Sequence, residues 1–290
     1  RGITVSPYYD PLLAKLIVKS DSRLASIHHL TQALADSRID GIETNLDYLA
    51  KILRHKPFES GQPTTQMLAA MPYHPHTVEI LESGIQTTVQ DYPGRLGLWN
   101  VGIPPSGPMD SYAHRIANFL LGNEEEAATL EMTLQGASLR FNTDCQIAIT
   151  GADMQATVIN ASGKRSLANW CAHAIQAGDT LSFGVVEGAG VRAYLAFSGG
   201  LNIAKYLNSR ATFTLGQFGG HGGRALRVGD TLHLFETASH AISINKNLPV
   251  LKSSSLPSYD HHWQIAVHYG PHGAPDFFTD EDIPGDPFAS

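Results

Sequence analysis

The chain has 290 residues, enough for one large or two moderate domains, and its composition (42% hydrophobic, 16% charged) is typical of a folded globular protein. A net charge of −7 without any cluster of basic residues excludes the electrostatic surface that binds a nucleic-acid backbone. Two cysteines, Cys145 and Cys171, are too few for a disulfide framework, so a reducing, cytoplasmic setting is expected; no apolar run approaches the roughly 20 residues of a membrane span.

The first seventy residues predict one short strand and two helices. Residues 12–18 form an apolar run that is typical of a strand. Residues 20–22 offer N-cap side chains for a helix whose apolar residues recur at helical spacing over 24–34. A second helix is predicted from near Thr44, and it should end before Pro57 because proline cannot continue the hydrogen-bonding pattern.

A proline-containing stretch, Pro72 to His76, is predicted to separate two domains, 1–72 and 77–290, which should pack as separate units. Beyond it, β-rich segments alternate with glycine-rich turns. Strands are predicted at 77–81, 146–150, 191–197 and 264–268. The strings 177–181 and 228–232 share Gly-Asp-Thr-Leu and predict similar turns that each precede a strand.

One helix is predicted inside the β-rich region, over 110–121. Its apolar residues recur at helical spacing, Asp110 or Ser111 can cap its start, and Gly122 suits its end. The coarse architecture is therefore a mostly antiparallel barrel with an inserted helix.

Several strings near the N-terminus carry a family resemblance: Pro7-Tyr8-Tyr9-Asp10, Lys15-Leu16-Ile17, Arg23 and Asp40-Gly41-Ile42-Glu43-Thr44-Asn45. They resemble the C-terminal end of biotin carboxylase domains, over residues 1 to about 70. The resemblance implies an α+β piece of an ATP-grasp fold. In that family, the residues that bind ATP, Mg and biotin precede this end of the domain, so no ATP chemistry is assigned to these residues.

Strings in the remainder carry a second resemblance, to the family called allophanate hydrolase subunit 2. They are 88–95, Ser106-Gly107-Pro108-Met109-Asp110, 117–118 with 121–123, Glu131, 151–153, 194–195 with 199–200, and Ser209-Arg210-Ala211-Thr212. The family includes the carboxyltransferase half-domain of urea carboxylase and the C subunit of bacterial 5-oxoprolinase. It implies a mainly β, cyclophilin-like barrel, paired with a similar barrel of the subunit 1 type.

The order of the two resemblances is that of urea carboxylase, or of the carboxylase part of urea amidolyase. It implies ATP-dependent carboxylation of urea to allophanate, with biotin on a separate carrier domain and a homo-oligomeric intact enzyme. Guanidine instead of urea, a module like the 5-oxoprolinase C subunit or a kinase-inhibitor antagonist, and a non-catalytic binding module stay open as alternatives. The chain starts without methionine, so it is expected to be an internal piece that is inactive by itself.

Eight polar residues in or beside these strings form the candidate site. The catalytic candidates are Asp110, Asp91 and Arg210, and the substrate-binding candidates are Gln90, Arg95, Glu131, Asp153 and His221. An arginine beside a carboxylate, as in Asp91 and Arg95, positions a planar amide or carboxybiotin through paired hydrogen bonds; alternatively the two tie a Pro-Gly turn together. Asp110 either accepts a proton or an amide N–H near the positive end of its helix, or only caps that helix.

Two further alternatives concern buried carboxylates and the glycine-rich loop. Glu131 and Asp153 would need partners if buried, and Arg210 is a candidate for a structural ion pair. The loop at 219–224, which contains His221, lacks a P-loop ending and is predicted to be an active-site loop or a barrel turn. No metal site is expected, since adjacent histidines point apart. Asp91, Arg95, Asp110 and Arg210 are predicted to converge on one cleft, where the second barrel would dock.

Overall fold

The structure is a computed structural model. It describes residues 5–6, 8, 10–39, 41–235, 251–252 and 255–262. Arg1–Tyr259 form one compact unit and Asp260–Ser290 a second, of which only a turn at 260–262 is described. None of the helices in the described ranges is long and apolar enough to cross a membrane.

The helices are α1 Arg23–Asp36, α2 Leu46–Leu53, α3 Lys56–Glu59 and α4 Ser111–Leu121, with a 3-10 turn at Trp99–Val101. The sequence predicts α1, α2 and α4, but neither the short α3 nor the 3-10 turn. The Ser22 hydroxyl caps α1 by accepting from Ala25 N at 3.2 Å. Pro57 lies in the first turn of α3, where its missing N–H needs no partner. The two predicted N-terminal helices and the inserted helix are therefore confirmed.

The strand predicted at residues 12–18 is wrong. These residues have no regular secondary structure and are mostly exposed, and the part of the chain that the structure describes gives them no strand partner. Ile17 is 79% exposed and Leu12 63%. A strand forms only when a neighbouring strand satisfies its backbone groups, so an apolar run by itself does not create one.

Eleven strands form two antiparallel sheets. They are β1 Thr77–Glu82, β2 Gln86–Gln90, β3 Thr129–Thr133, β4 Ser138–Phe141, β5 Cys145–Gly151, β6 Thr157–Asn160, β7 Gly163–Ser166, β8 Cys171–Ile175, β9 Thr180–Ser182, β10 Arg192–Phe197 and β11 Thr231–His233. The six-stranded sheet has the order β11-β1-β4-β9-β6-β7 and the five-stranded sheet β2-β3-β10-β5-β8. The predicted strands at 77–81, 146–150 and 191–197 are confirmed, and 264–268 lies outside the described residues.

The main core consists of apolar side chains from both sheets, and α4 covers the other face of the five-stranded sheet. Strand β10 shows the division: Leu195 belongs to the main core, whereas Tyr194 and Ala196 belong to the cluster under α4. Alternation along a strand sends neighbouring side chains to opposite faces. Tyr194 therefore lies beneath the helix that Asp110 begins.

The two predicted Gly-Asp-Thr-Leu turns are confirmed, and each contains the same kind of hydrogen bond. Asp179 Oδ2 accepts from Gln176 N at 3.0 Å, and Asp230 Oδ2 accepts from Arg227 N at 2.8 Å. In both turns a carboxylate holds the backbone three residues earlier, just before a strand begins. The described pairings form two sheets rather than one closed barrel. The domain division between residues 72 and 77 stays a prediction.

Candidate functional site

Asp91 fastens the loop after β2 to the segment that contains Arg210. Its Oδ1 accepts from Ser209 Oγ and its Oδ2 from Arg210 N, both at 2.6 Å. The carboxylate is 4% exposed. A buried carboxylate needs such donors, and these two hold residues 209–210 against the end of β2.

Arg95 is buried and directs its guanidinium at backbone carbonyls. Nε donates to Tyr206 O at 3.1 Å and Nη2 to Ala211 O at 2.9 Å, and the group lies 4.9 Å from the ring centre of Phe218. Burial lowers the pKa of Arg95, and the charge of Asp91 partly opposes this. Arg95 Nη1 has no hydrogen-bond partner among the described residues.

The glycine-rich loop packs directly on Arg95. Gly219 has a φ of +70°, and a Cβ there would lie 2.1 Å from Ala211 O and 2.6 Å from Arg95 Nη2. Only glycine fits such an approach. Gly220 N donates to Arg210 O at 3.0 Å. The loop therefore supports the segment that contains Arg210.

Arg210 lines a small pocket of about 190 Å³. Its Nε donates to Ile203 O at 2.8 Å, and its guanidinium lies 5.8 Å from the ring centre of Phe235. Lys205, Glu124 and Glu126 line the same pocket. Within the described ranges, its two Nη atoms have no hydrogen-bond partner. Arg210 is therefore a candidate whose charged end can bind a small molecule.

Asp110 caps α4. Its Oδ1 accepts from Ala113 N at 2.9 Å, and its Oδ2 accepts from the Tyr259 hydroxyl at 3.1 Å. Burial raises the pKa of Tyr259, and the negative charge of Asp110 raises it further. The hydroxyl therefore remains a proton donor to Asp110 at neutral pH.

Glu131 holds the loop that leads into Asp110. Its Oε2 accepts from Met109 N and from the Tyr194 hydroxyl, both at 2.7 Å. Glu131 on β3 and Tyr194 on β10 are directly opposite in the sheet, which explains why their side chains meet. Arg192 Nε lies 3.6 Å from Glu131 Oε1, so the cation beside this carboxylate is Arg192, whereas the sequence suggested Arg210.

Gln90 connects the two groups of residues. Its Nε2 donates to Thr88 Oγ1 at 3.0 Å and to Thr212 O at 3.5 Å, and its Oε1 accepts from Gly107 N at 3.1 Å. Asp91 and Arg95 thus hold the 206–212 segment, which contains Arg210, and Glu131 holds the loop that leads to Asp110. Gln90 has a contact on each side.

Asp153 and His221 make their contacts elsewhere. Asp153 lies in an exposed loop, where its Oδ1 accepts from Gln155 N at 2.8 Å. His221 is 7% exposed, and its Nε2 lies 3.5 Å from Asp230 Oδ1. Their assignment as substrate-binding residues stays a prediction. Among the described residues, no three histidine, cysteine or acidic side chains are placed to hold a metal ion.

His114 is a buried residue of this region that no motif in the sequence marks. Its Nδ1 lies 2.9 Å from Thr129 Oγ1, and its Nε2 lies 3.2 Å from Glu125 O. Its ring meets that of Tyr194 edge to face, with 6.1 Å between centres. Burial lowers the pKa of His114 to about 4. His114 shares the buried face of α4 with Ala113 and Ala117, whereas Tyr112 and Phe119 of the predicted apolar stripe are largely exposed. The stripe therefore gave no signal for His114.

Comparison with known proteins divides the chain into two matches. The family described as "Carboxyltransferase domain, subdomain A and B" matches residues 101–285, and "Biotin carboxylase C-terminal domain" matches residues 1–70. Urea amidolyase of Saccharomyces cerevisiae is 40% identical over 98% of this chain. The crystal structure of Kluyveromyces lactis urea carboxylase covers 96% of the chain with 40% identity and a TM-score of 0.79.

The matched proteins differ in how much of the chain they share. The chain spans 15% of the yeast urea amidolyase and 25% of the solved urea carboxylase chain. The C subunit of 5-oxoprolinase from Haemophilus influenzae is 36% identical over 53% of this chain, and the chain spans 48% of that protein. The urea amidolyase match therefore includes the N-terminal piece as well as the sheets.

Proposed function

The chain belongs to the family of carboxyltransferase domains, subdomain A and B, and we propose that it carries part of the site at which a biotin-dependent urea carboxylase transfers a carboxyl group to urea. The observation that carries the proposal is the order of the two family matches: the end of a biotin carboxylase domain at residues 1–70 precedes the carboxyltransferase match at 101–285, with 40% identity to a urea amidolyase through both. The reaction of the intact enzyme would convert urea, bicarbonate and ATP to allophanate.

The pocket beside Arg210 supports a small planar amide as substrate. Its volume of about 190 Å³ equals roughly six waters at about 30 Å³ each, which is ample for urea. Arg210 and Lys205 supply donors for a carbonyl oxygen, and Glu124 and Glu126 supply acceptors for amide N–H groups. Such groups orient a planar amide and stabilise negative charge that develops on its oxygen.

The other candidates are assigned supporting or acid-base roles in this proposal. Asp91 and Arg95 hold the 206–212 segment, so they position Arg210 through its backbone. Asp110, which accepts from the Tyr259 hydroxyl at a helix start, is the acid-base candidate. Biotin, on a carrier domain, supplies the carboxyl group when bound. ATP and Mg are assigned to biotin carboxylase residues outside this chain.

The proposal extends to partners and surroundings. The two sheets are proposed to belong to a cyclophilin-like barrel that pairs with a second barrel of the subunit 1 type. The intact enzyme is proposed to be a cytoplasmic homo-oligomer. Guanidine is the alternative substrate. It is planar like urea and has the same two amino groups, but a third nitrogen replaces the carbonyl oxygen.

The test uses the intact enzyme that contains this chain. Arg210→Ala should lower urea-dependent allophanate formation and spare ATP hydrolysis that depends on free biotin, because the two reactions occur in different domains. Arg210→Lys should retain more activity, and Arg227→Ala, which removes an exposed arginine, is the matched control. Equal loss of both activities would show a folding role for Arg210, and higher turnover with guanidine than with urea would overturn the assigned substrate.

A further inference from the structure

A short stretch of the N-terminal piece, described at residues 38–39 and 41–48, contacts the sheet region directly. Arg38 Nη2 donates to Asn202 O at 2.8 Å. Glu43 Oε2 accepts from Thr77 Oγ1 at 2.9 Å, and Thr77, the first residue of β1, is fully buried. A buried hydroxyl has few alternative acceptors, so the Glu43 carboxylate is a specific partner for the edge where β1 begins.

The same stretch makes two more contacts, one with strand β11 and one with the glycine-rich loop. Asp47 Oδ2 is 3.9 Å from His233 Nδ1 at the end of β11. Gly41 passes the imidazole of His221, and a Cβ there would lie 3.6 Å from Nε2. Residues 38–39 and 41–48 therefore contact β1, β11 and the loops that contain Asn202 and His221.

The linker between the two pieces is held at both ends. On the helical side, the rings of Tyr48 and Tyr73 are 4.9 Å apart, and Lys51 Nζ donates to Pro72 O at 3.2 Å. On the sheet side, His76 Nδ1 lies 3.0 Å from Thr143 Oγ1, and His76 Nε2 lies 3.0 Å from Phe235 O. A linker with contacts on both sides does not act as a free hinge.

The similarity to a solved structure also supports a fixed arrangement of the two pieces. One superposition with the Kluyveromyces lactis urea carboxylase covers 96% of this chain at a TM-score of 0.79, and so includes both pieces. A shared arrangement in two proteins that are 40% identical is expected when contacts, rather than chance, set the orientation.

We propose that residues 38–39 and 41–48 form a docking surface for the edge of the six-stranded sheet and, with the held linker, fix the N-terminal piece and the sheet region as one rigid body. This proposal does not depend on which reaction the site performs. Its consequence is that the two pieces keep a constant separation.

The experiment measures distances in the full chain by double electron-electron resonance. Spin labels are attached at Gln32→Cys on α1 and Lys164→Cys on β7, both exposed, after Cys145→Ala and Cys171→Ser remove the native thiols. A rigid junction gives one narrow distance distribution. Adding Arg38→Ala and Glu43→Ala together should broaden it about twofold or more, because domains without a sufficient interface move relative to each other.

The matched control is Lys56→Ala with Glu59→Ala, which removes the same two charges from exposed positions of α3. It should leave the distribution narrow. Far-ultraviolet circular dichroism checks that each variant is folded, and Glu43→Gln, the milder change, replaces the double variant if that one unfolds. A broad distribution in the parent chain, or a distribution as narrow in the junction variant as in the control, would overturn the proposal.

Discussion

The hydroxyl of Tyr194 donates to Oε2 of Glu131 at 2.7 Å and accepts the backbone N–H of Asp110, also at 2.7 Å. One oxygen thus connects strands β3 and β10 to the first residue of the helix cap. Burial raises the pKa of Tyr194, and the charge of Glu131 raises it further, so the hydroxyl keeps its proton at neutral pH.

Removing this hydroxyl should destabilise the fold. Tyr194→Phe leaves a buried carboxylate oxygen and the N–H of Asp110 each without one partner, and we expect a loss of about 1 to 3 kcal/mol in the free energy of unfolding. Urea denaturation followed by circular dichroism measures it. Tyr112→Phe, which removes an exposed hydroxyl bonded to Ser255 O, is the control and should cost less. Equal costs would show that the Tyr194 bonds add no specific stability.

Substitutions of Asp110 separate its two assigned roles. Asp110→Ala removes the cap of α4 and should cost about 1 kcal/mol of stability, whereas Asp110→Asn keeps a capping oxygen and should cost less. In the intact enzyme, both should lower allophanate formation if the carboxylate takes part in proton transfer. Full activity of Asp110→Asn would instead assign Asp110 to capping alone.

His114 should remain neutral across the physiological range. Its pKa in the folded chain is lowered by burial from 6.5 to about 4, so the unfolded chain binds a proton first as the pH falls. The stabilising contribution is therefore complete above pH 6.5 and is lost between pH 6.5 and about 4. Histidine NMR spectra recorded from about pH 8 to about pH 5 should show no titration of the His114 ring; a midpoint near the ordinary histidine value of about 6.5 would contradict the buried environment.

Asp230 should make stability sensitive to acid. Burial by itself would raise its pKa, but hydrogen bonds from Arg224 (2.7 and 2.8 Å) and from His221 lower it below the ordinary 3.8. A lowered carboxyl pKa stabilises the fold above that ordinary value, and the contribution is lost as the pH falls below it.

The variant that tests this effect is Asp230→Asn. It should cost about 1 to 3 kcal/mol at about pH 7, and its difference from the parent should shrink when urea denaturation is repeated at about pH 3. Asp21→Asn, at an exposed position, is the control and should cost little at either pH. A difference for Asp230→Asn that is the same at both pH values would show that charge is not the cause.

Helix α4 shows what the sequence predicts well. Its Asp110 cap and its Gly122 terminus are local signals, and the structure confirms both. The predicted apolar stripe is wrong in part: Leu120 is buried, but Tyr112 is 44% and Phe119 50% exposed. Arg95 shows what the sequence does not predict. The sequence suggests a pair with Asp91, yet the guanidinium donates to carbonyls of Tyr206 and Ala211, more than a hundred residues away. Which acceptors a long side chain reaches depends on the tertiary fold, so contacts of this kind cannot be derived from neighbouring residues.

The exposed apolar run at residues 12–18 has a practical consequence for handling the chain. The exposed side chains of Leu12 and Ile17 offer an apolar surface on which another copy can associate. A charged residue in place of Ile17 makes this surface less apolar. Ile17→Lys should therefore reduce concentration-dependent light scattering by the purified chain without changing its unfolding midpoint, and unchanged scattering would show that self-association begins at another surface.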